Sequence, residues 1–249
     1  MPLGTPAGGK KETAPLDLDH TTAADFAEVY EPQEDTYLLL DTLLAERARW
    51  QALAARGDAS FLEIGSGSGV NISYLAQLVL AKQPPGGGQD AVDATARRLR
   101  FFATDVNPAA VALTARTAAH YGVPVTAVRS RFADELGDDA CPCDVVLFNP
   151  PYVPTDASEI GASAISASWA GGERGRVVID DFLANVLPGL LARTGVCLMV
   201  VVRENEPDDI VATMLAPRGL TGRLISHRKA ANEHLSIMLI EWADKAGVA

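Results

Sequence analysis

The 249-residue sequence lacks the long apolar segments and cysteine clusters that define several classes of protein. No stretch reaches the ~18 consecutive apolar residues of a membrane span, and the N-terminus has Gly, Pro, Lys and Thr where a signal peptide has an apolar core. The three cysteines are an odd number, and Cys141 and Cys143 have no clustered His or Cys partner. We therefore expect a soluble cytoplasmic protein without a metal site or a membrane partner, and a nuclear location stays open.

Basic charge is also scarce. The net charge is -11, and no run of Lys and Arg exceeds two residues. Proteins that bind nucleic acid usually carry a basic face that releases counterions from the phosphates. The charge therefore disfavours direct nucleic-acid binding and favours a protein substrate.

The order of the patterns predicts one α/β domain with a doubly wound, mainly parallel seven-stranded sheet. We assign residues 25–249 to this domain and residues 1–24 to a disordered N-terminal arm, and residues 83–97 interrupt the pattern as a flexible insertion. Helices are predicted at 35–56, 108–120 and 176–192. Strands are predicted at 61–64, 99–104, 123–128, 144–148 and 196–202, followed by an antiparallel pair at 222–226 and 235–242.

The motif Asn149-Pro150-Pro151-Tyr152, which follows the fourth predicted strand, specifies a chemistry. An sp² amino nitrogen is a poor nucleophile, so an enzyme that alkylates it must hold its two hydrogens with fixed acceptors. The side-chain oxygen of Asn149 and the carbonyl of Pro150 can serve, because a Pro-Pro turn stiffens the backbone. Pro151 and Tyr152 complete the substrate site, and Tyr152 offers an aromatic face to a planar group. We take Asn149, Pro150 and Tyr152 as catalytic candidates, although the motif alone is equally compatible with a strand-ending turn.

A glycine loop lies between the first predicted strand and a helix. Gly65, Gly67 and Gly69 allow the backbone to approach a ligand closely and leave helix N-terminal amides free. Glu63 precedes the loop, and Asp105 ends the second strand, where its carboxylate can accept hydrogen bonds from ribose hydroxyls. With a G-x-G-x-G spacing that differs from dinucleotide sites, these residues predict S-adenosylmethionine as the cofactor.

These ordered motifs resemble those of class I amino-methyltransferases. The segment from Tyr30 to Thr36 and the segment 169–176 are similar to signatures of the eukaryotic and archaeal HemK-like protein glutamine methyltransferases. The resemblance implies a Rossmann-like class I methyltransferase fold, and methylation of the glutamine nitrogen N5 in the Gly-Gly-Gln loop of a translation release factor. It also implies a heterodimer with a small zinc-binding activator protein. Histone lysine methylation is a further activity associated with the family.

The resemblance also implies several cofactor contacts. Thr36 and Tyr30 are expected to close over the cofactor with Asn149, and residues 169–172 to form part of a lid. After the third strand the family has an acid that accepts a hydrogen bond from the adenine amino group, but this chain has Arg131, which has no acceptor. Either Asp134 takes that role, or backbone and stacking hold the adenine, with Phe132 contributing its backbone.

The third predicted strand, from Val123 to Val128, is apolar on both faces, and the usual strand order of this fold places it at a sheet edge. We expect the activator protein to add a strand there. Two other functions stay open. One is a nucleic-acid adenine or guanine amino-methyltransferase, and the other is a catalytically silent S-adenosylmethionine-binding scaffold.

Overall fold

The computed structural model describes residues 17–81, 98–137, 142–159, 161, 168–230 and 233–245. The strands are β1 (Asp58–Ile64), β2 (Arg98–Asp105), β3 (Val125–Arg129), β4 (Cys143–Phe148), β5 (Leu191–Val202), β6 (Leu220–Ala230) and β7 (Glu233–Trp242). The helices are α1 (Glu34–Ala45), α2 (Arg47–Ala54), α3 (Val70–Leu80), α4 (Pro108–Tyr121), α5 (Val177–Asp181), α6 (Leu187–Leu190) and α7 (Pro207–Asp209). Wider π-helical turns connect α5 to α6 and extend α7.

The strands form one seven-stranded sheet in the order β3-β2-β1-β4-β5-β7-β6. The first five strands in this order are parallel, whereas β7 runs antiparallel to both β5 and β6. The predicted doubly wound sheet, its edge position for the third strand and its closing antiparallel pair are confirmed. No helix in the described ranges is long and apolar enough to cross a membrane.

The central strands are apolar because helices cover both faces of the sheet. β4 is almost fully buried, and the second half of β5 reads as a continuous apolar run. The first four helices contact one another on one face. The helices after β4 and β5 contact one another on the other face, so the core lies in two layers.

Several predicted boundaries differ from the structure, among them the following three. The predicted helix 35–56 is interrupted at Glu46, which separates α1 from α2. The predicted helix 176–192 ends at Leu190, because Leu191 already belongs to β5. β3 begins at Val125 rather than Val123, since Pro124 has no N–H to donate to a sheet.

The predicted N-terminal arm extended to residue 24, but residues 17–24 lie against α4. The Tyr121 hydroxyl donates to the Asp17 carbonyl at 3.0 Å, and the His20 ring is 2.8 Å from the Thr117 hydroxyl. The rest of the arm lies outside the described residues, and so does the predicted insertion 83–97.

The parallel register brings three motifs to one edge of the sheet. Ile64 of β1 is paired with Thr104 of β2 and with Phe148 of β4. The glycine loop therefore emerges between Asp105 and Asn149. In doubly wound sheets, ligands bind in the crevice outside these carboxyl ends.

Candidate active site

A cavity of about 270 Å³ lies at the carboxyl ends of β1, β2 and β4. It is lined by these predicted site residues: Tyr30, Thr36, Glu63, Gly65, Gly67, Asp105, Phe132, Asn149 and Pro151. Three other predicted site residues, Gly69, Pro150 and Tyr152, are not part of the wall in the described structure. The predicted site residues thus form part of the cavity wall, and the sequence did not predict how these side chains are held.

The amide of Asn149 has a fixed orientation. Its Nδ2 atom donates to the Asp35 carboxylate at 3.0 Å. Because an ionised carboxylate only accepts hydrogen bonds, the NH₂ group must face Asp35. The Oδ1 atom is then the free end of the amide, and it is buried without a hydrogen-bond partner in the described part of the chain. Asn149 is therefore a pre-oriented acceptor at the cavity.

Asp35, which sequence reasoning did not select, accepts hydrogen bonds from four residues. Its carboxylate accepts from the Tyr152 hydroxyl at 3.2 Å and from the Tyr30 hydroxyl at 3.3 Å, in addition to Asn149. The Thr36 backbone N–H donates to its other oxygen at 2.6 Å. Burial, together with the nearby Asp35 charge, raises the pKa of both tyrosines far above their ordinary value. Both hydroxyls consequently remain donors at neutral pH.

Asp35 is buried in the first turn of α1, where the exposed N–H groups and the helix dipole favour negative charge. Its place in the segment Tyr30–Thr36, which resembles a family signature, was the available sequence signal. Its partner Asn149 is 114 residues away, and no local pattern predicts that pairing.

The ring of Tyr152 is packed in the core rather than open as a platform. The side chain is 7% exposed, and its hydroxyl binds Asp35. Its carbonyl accepts a hydrogen bond from Asn205, a buried side chain that also binds the Arg174 carbonyl, each at 2.9 Å. A Cβ atom on Gly175 would lie 1.8 Å from the Tyr152 carbonyl oxygen. Asn205 and Gly175 thus join the Asn-Pro-Pro-Tyr turn to the following loop.

The predicted lid segment 169–172 runs beside the residues that follow the motif. Val153 donates to the Trp169 carbonyl at 3.0 Å, and Gly171 donates to the Val153 carbonyl at 2.8 Å. Ala170 lines the cavity, but Trp169 does not. Ala170 is therefore the residue of this segment that belongs to the cavity wall.

The glycine loop is held by two threonines of α4. The Thr117 hydroxyl donates to the Ser68 carbonyl at 2.6 Å, and the Thr114 hydroxyl is 3.2 Å from the Gly67 carbonyl. Gly69 has a φ of +75°, and a Cβ atom there would lie 2.7 Å from the Thr114 backbone. Gly69 therefore permits close packing of the loop on α4 and does not itself face the cavity.

Two acids, the buried Glu63 and the half-buried Asp105, flank the loop. Glu63 is 1% exposed and accepts from Asn71 and from the Ile72 backbone at 3.0 and 3.1 Å. Burial raises the pKa of Glu63 to about 8 despite these hydrogen bonds. Asp105 accepts from the Gly67 backbone at 3.0 Å, and burial also raises its pKa. A ligand that supplies positive charge or hydroxyl donors would stabilise the charged form of both carboxyl groups.

The position where the family has an acid carries an ion pair instead. Arg131 pairs with Asp181 of α5, and its guanidinium carbon lies 4.6 Å from the centroid of the Phe132 ring. Phe132 is buried and lines the cavity, whereas Asp134 does not. Of the two expected alternatives, the geometry favours recognition by backbone and stacking over a substitution by Asp134.

No group of three or more His, Cys, Asp or Glu side chains is placed to hold a metal ion in the described ranges.

Comparison with known proteins gives consistent relatives. Human methyltransferase HEMK2 is 36% identical over 88% of this chain and 92% of its own length. The Schizosaccharomyces pombe protein named eRF1 methyltransferase catalytic subunit mtq2 is 33% identical, over 87% of this chain and 90% of that protein. No protein-family model matches the chain.

A solved structure shares the fold over nearly its whole length. The Mtq2 chain of the E. cuniculi Mtq2-Trm112 complex, described as responsible for methylation of the eRF1 translation termination factor, aligns at a TM-score of 0.56 and 27% identity. The alignment covers 86% of this chain and 99% of that one.

The sheet order, the glycine loop after β1 and the acid at the end of β2 define a class I methyltransferase. The identity and coverage of the relatives place the chain in one family within this class. The chain belongs to the HemK-like family of methyltransferases.

Replacement of Gly69 by alanine tests the packing of the loop on α4. Gly57→Ala is the matched control, because Gly57 has a φ of +87° but open space around its Cβ position. Both variants carry the cost of a left-handed alanine, about 1–2 kcal/mol. We expect Gly69→Ala to lose about a further 1–3 kcal/mol of unfolding free energy by overpacking, measured by urea denaturation. Equal losses would contradict the close approach to Thr114.

Replacement of Asp35 tests its role as the common acceptor. Asp35→Ala leaves the donors of Asn149, Tyr30 and Tyr152 without their carboxylate, so we expect unfolding free energy to fall by about 1–3 kcal/mol. Methyl transfer at saturating cofactor should fall on the order of 10- to 100-fold, as for other residues that orient functional ligands. Wild-type turnover with an unchanged urea midpoint would remove Asp35 from this role.

Proposed function

We propose that the chain transfers a methyl group from S-adenosylmethionine to the side-chain amide nitrogen of a protein glutamine, in the Gly-Gly-Gln loop of a translation release factor. The names of the S. pombe relative and of the E. cuniculi complex support this substrate. Within the site, the proposal rests on the buried, unpartnered Oδ1 atom of Asn149, which Asp35 orients. An amide NH₂ group supplies the donor that this acceptor lacks.

The residues present fit S-adenosylmethionine. Asp105 ends β2 beside the glycine loop, and its carboxylate suits a pair of ribose hydroxyls. Glu63 is a buried acid with a raised pKa, and a cationic amino group would stabilise its charged form. Phe132 and the exposed Val106, both in the cavity wall, suit a flat nucleobase.

The cofactor, when bound, supplies an electrophilic methyl group; a nitrogen–carbon bond forms as the sulfur–carbon bond breaks, and the amide nitrogen loses a proton to solvent. The chain contributes position and acceptors. Asn149 Oδ1 can hold one hydrogen of the substrate amide, and we assign the second to the Pro150 carbonyl. The hydrogen bonds to these acceptors strengthen as the substrate nitrogen becomes electron-poor. They therefore stabilise the transition state more than the ground state.

No residue is assigned as a general base. The alkylated nitrogen releases its proton readily, so catalysis depends on alignment of the reacting atoms and on exclusion of water. Thr36, in the first turn of α1, and Tyr30, which precedes that helix, line the cavity and are suited to cover the cofactor.

Asn149→Ala tests the clamp, by which we mean the two acceptors formed by Asn149 Oδ1 and the Pro150 carbonyl. The variant should keep its affinity for S-adenosylmethionine, measured by calorimetry, while turnover on release factor falls on the order of 10²–10³-fold. Asp105→Ala is the complementary variant, because loss of a charged acceptor should weaken cofactor binding by about 1.5–3 kcal/mol. Turnover of Asn149→Ala within threefold of wild type would refute the clamp.

The acceptor is tested with release factor, the same protein with its Gly-Gly-Gln glutamine changed to alanine, a histone lysine substrate and RNA. We expect methyl transfer only to the intact release factor. Transfer to RNA would favour the nucleic-acid alternative. Cofactor binding with no transfer to any of the four would favour the silent scaffold.

We further assign the activator protein to the edge strand β3. This strand pairs only with β2 in the described sheet, so its other side has free backbone groups. The E. cuniculi relative was solved as a complex with Trm112. A small zinc-binding partner that adds a strand there would satisfy the backbone and cover Val128.

The two valines of β3 are not equivalent. Val125 packs against the hydrophobic core, so Val125→Glu would damage folding as well as binding. Val128→Glu is the cleaner variant, and Leu224→Glu is its control, because Leu224 is an exposed apolar residue on the opposite edge strand β6. A carboxylate buried without a partner costs several kcal/mol, so we expect Val128→Glu to weaken activator binding at least ~100-fold. Equal affinities of Val128→Glu, Leu224→Glu and wild type for the activator would contradict the assignment of the activator to β3.

A further inference from the structure

The described N-terminal segment, residues 17–30, runs along α4 into the cavity wall. Its last three residues, Glu28 to Tyr30, line the cavity. Arg116 of α4 pairs with Asp25 at 2.8 Å, and Asn107 donates to the Glu28 carbonyl at 2.8 Å. One further contact in this interface, made by His20, continues to the glycine loop.

His20 reaches the loop through a shared hydroxyl. Its Nε2 atom lies 2.8 Å from Thr117 Oγ1, and that hydroxyl donates its only hydrogen to the Ser68 carbonyl at 2.6 Å. Since Thr117 can then only accept from the imidazole, His20 must carry its proton on Nε2. Thr117 is fully buried, so water does not replace either bond.

The other ring nitrogen shows that His20 is neutral. Its Nδ1 atom is buried and has no hydrogen-bond partner in the described structure. A second proton would place a buried cationic N–H against no acceptor, which is costly. Protonation would therefore disrupt the contact.

The charges that face His20 come from α4 and from its own segment. His120 stacks on it with 4.4 Å between ring centroids and binds Asp17 at 2.8 Å. Burial is the largest cause that lowers the pKa of His20; His120 and Arg116 act in the same direction, while Asp17 and Asp25 oppose them.

We propose that His20, in its neutral Nε2–H form, is a positioning residue for the cofactor cavity: through Thr117 it fixes the Ser68 carbonyl, and it fastens the N-terminal segment to the glycine loop. The inference rests on the proposed use of S-adenosylmethionine. It goes beyond that use by making the cavity dependent on a group outside its wall.

The contact between His20 and Thr117 should become less stable in acid. Because the pKa of His20 is lowered in the folded protein, its contribution is complete above the ordinary histidine pKa of about 6.5 and declines below it. At pH 5.5 an unperturbed histidine is about 90% protonated, so the effect on cofactor affinity cannot exceed ~11-fold.

The experiment measures S-adenosylmethionine affinity by calorimetry at pH 8.0 and pH 5.5. His20→Gln keeps an N–H donor at the position of Nε2 but does not titrate, whereas His20→Ala removes the donor. His227→Gln is the matched control, since His227 lies on β6 and binds Ser236. Glu63 and Asp105 also titrate, so the informative quantity is the difference between variants.

We expect wild type and His227→Gln to lose affinity in acid by roughly 3- to 10-fold more than His20→Gln. At pH 8.0, His20→Gln should bind within about threefold of wild type, and His20→Ala should bind roughly 3- to 10-fold more weakly. The same pH dependence in wild type and His20→Gln, or wild-type affinity of His20→Ala, would overturn the inference.

Urea midpoints without ligand separate this inference from the proposed function. The wild-type midpoint should fall more between pH 8.0 and 5.5 than that of His20→Gln. If wild type bound no cofactor at either pH, the proposed function would fail, and the midpoints would still decide whether His20 fastens the segment. Equal falls in midpoint would overturn that role.

Discussion

The carboxylate of Asp35 is the interaction on which the active-site geometry depends. A buried charge is tolerated only with strong compensation, and here the first turn of α1 and the donors of Tyr30, Asn149 and Tyr152 provide it. These donors come from the start of α1 and from the turn after β4, which are far apart in sequence. One acceptor thus sets the position of the motif and the direction of its amide, so the free oxygen of Asn149 exists before any substrate binds.

Hydrogen bonds also fix the glycine loop, but here the loop supplies the acceptors and the helix α4 supplies the donors. Thr114 and Thr117 supply donors from α4, and they hold carbonyls of the glycine loop. The loop is also held from the side of β2, because the Gly67 backbone N–H donates to the Asp105 carboxylate. The two halves of the cavity are therefore fixed by hydrogen bonds between segments that are far apart in sequence. Such preorganisation lowers the cost of ordering ligands at the moment of reaction.

Local patterns predicted what lies close together in sequence. The strand ends, the glycine loop and Asp105 follow from apolar runs that terminate in glycine or acid, and the parallel register then places them together. Pairings across 97 residues between His20 and Thr117, or 114 between Asp35 and Asn149, leave no periodic signal. The predicted end of the helix 176–192 is wrong for a related reason. Leu191 is apolar and suits either a helix or a buried strand, so only its pairing in the sheet decides its place.

Arg131 shows how a motif can depart from its family while local charge stays balanced. The expected acid is replaced by a base, but Asp181 of α5 returns a carboxylate to the same end of the cavity. The guanidinium also covers the Phe132 ring, which packs against Phe182 beside Asp181. A lone arginine would carry positive charge at this end of the cavity; the pair offsets it and ties the loop after β3 to α5. With the proposed cofactor, recognition of adenine there would depend on flat apolar contact and backbone groups, which distinguish shape more than charge.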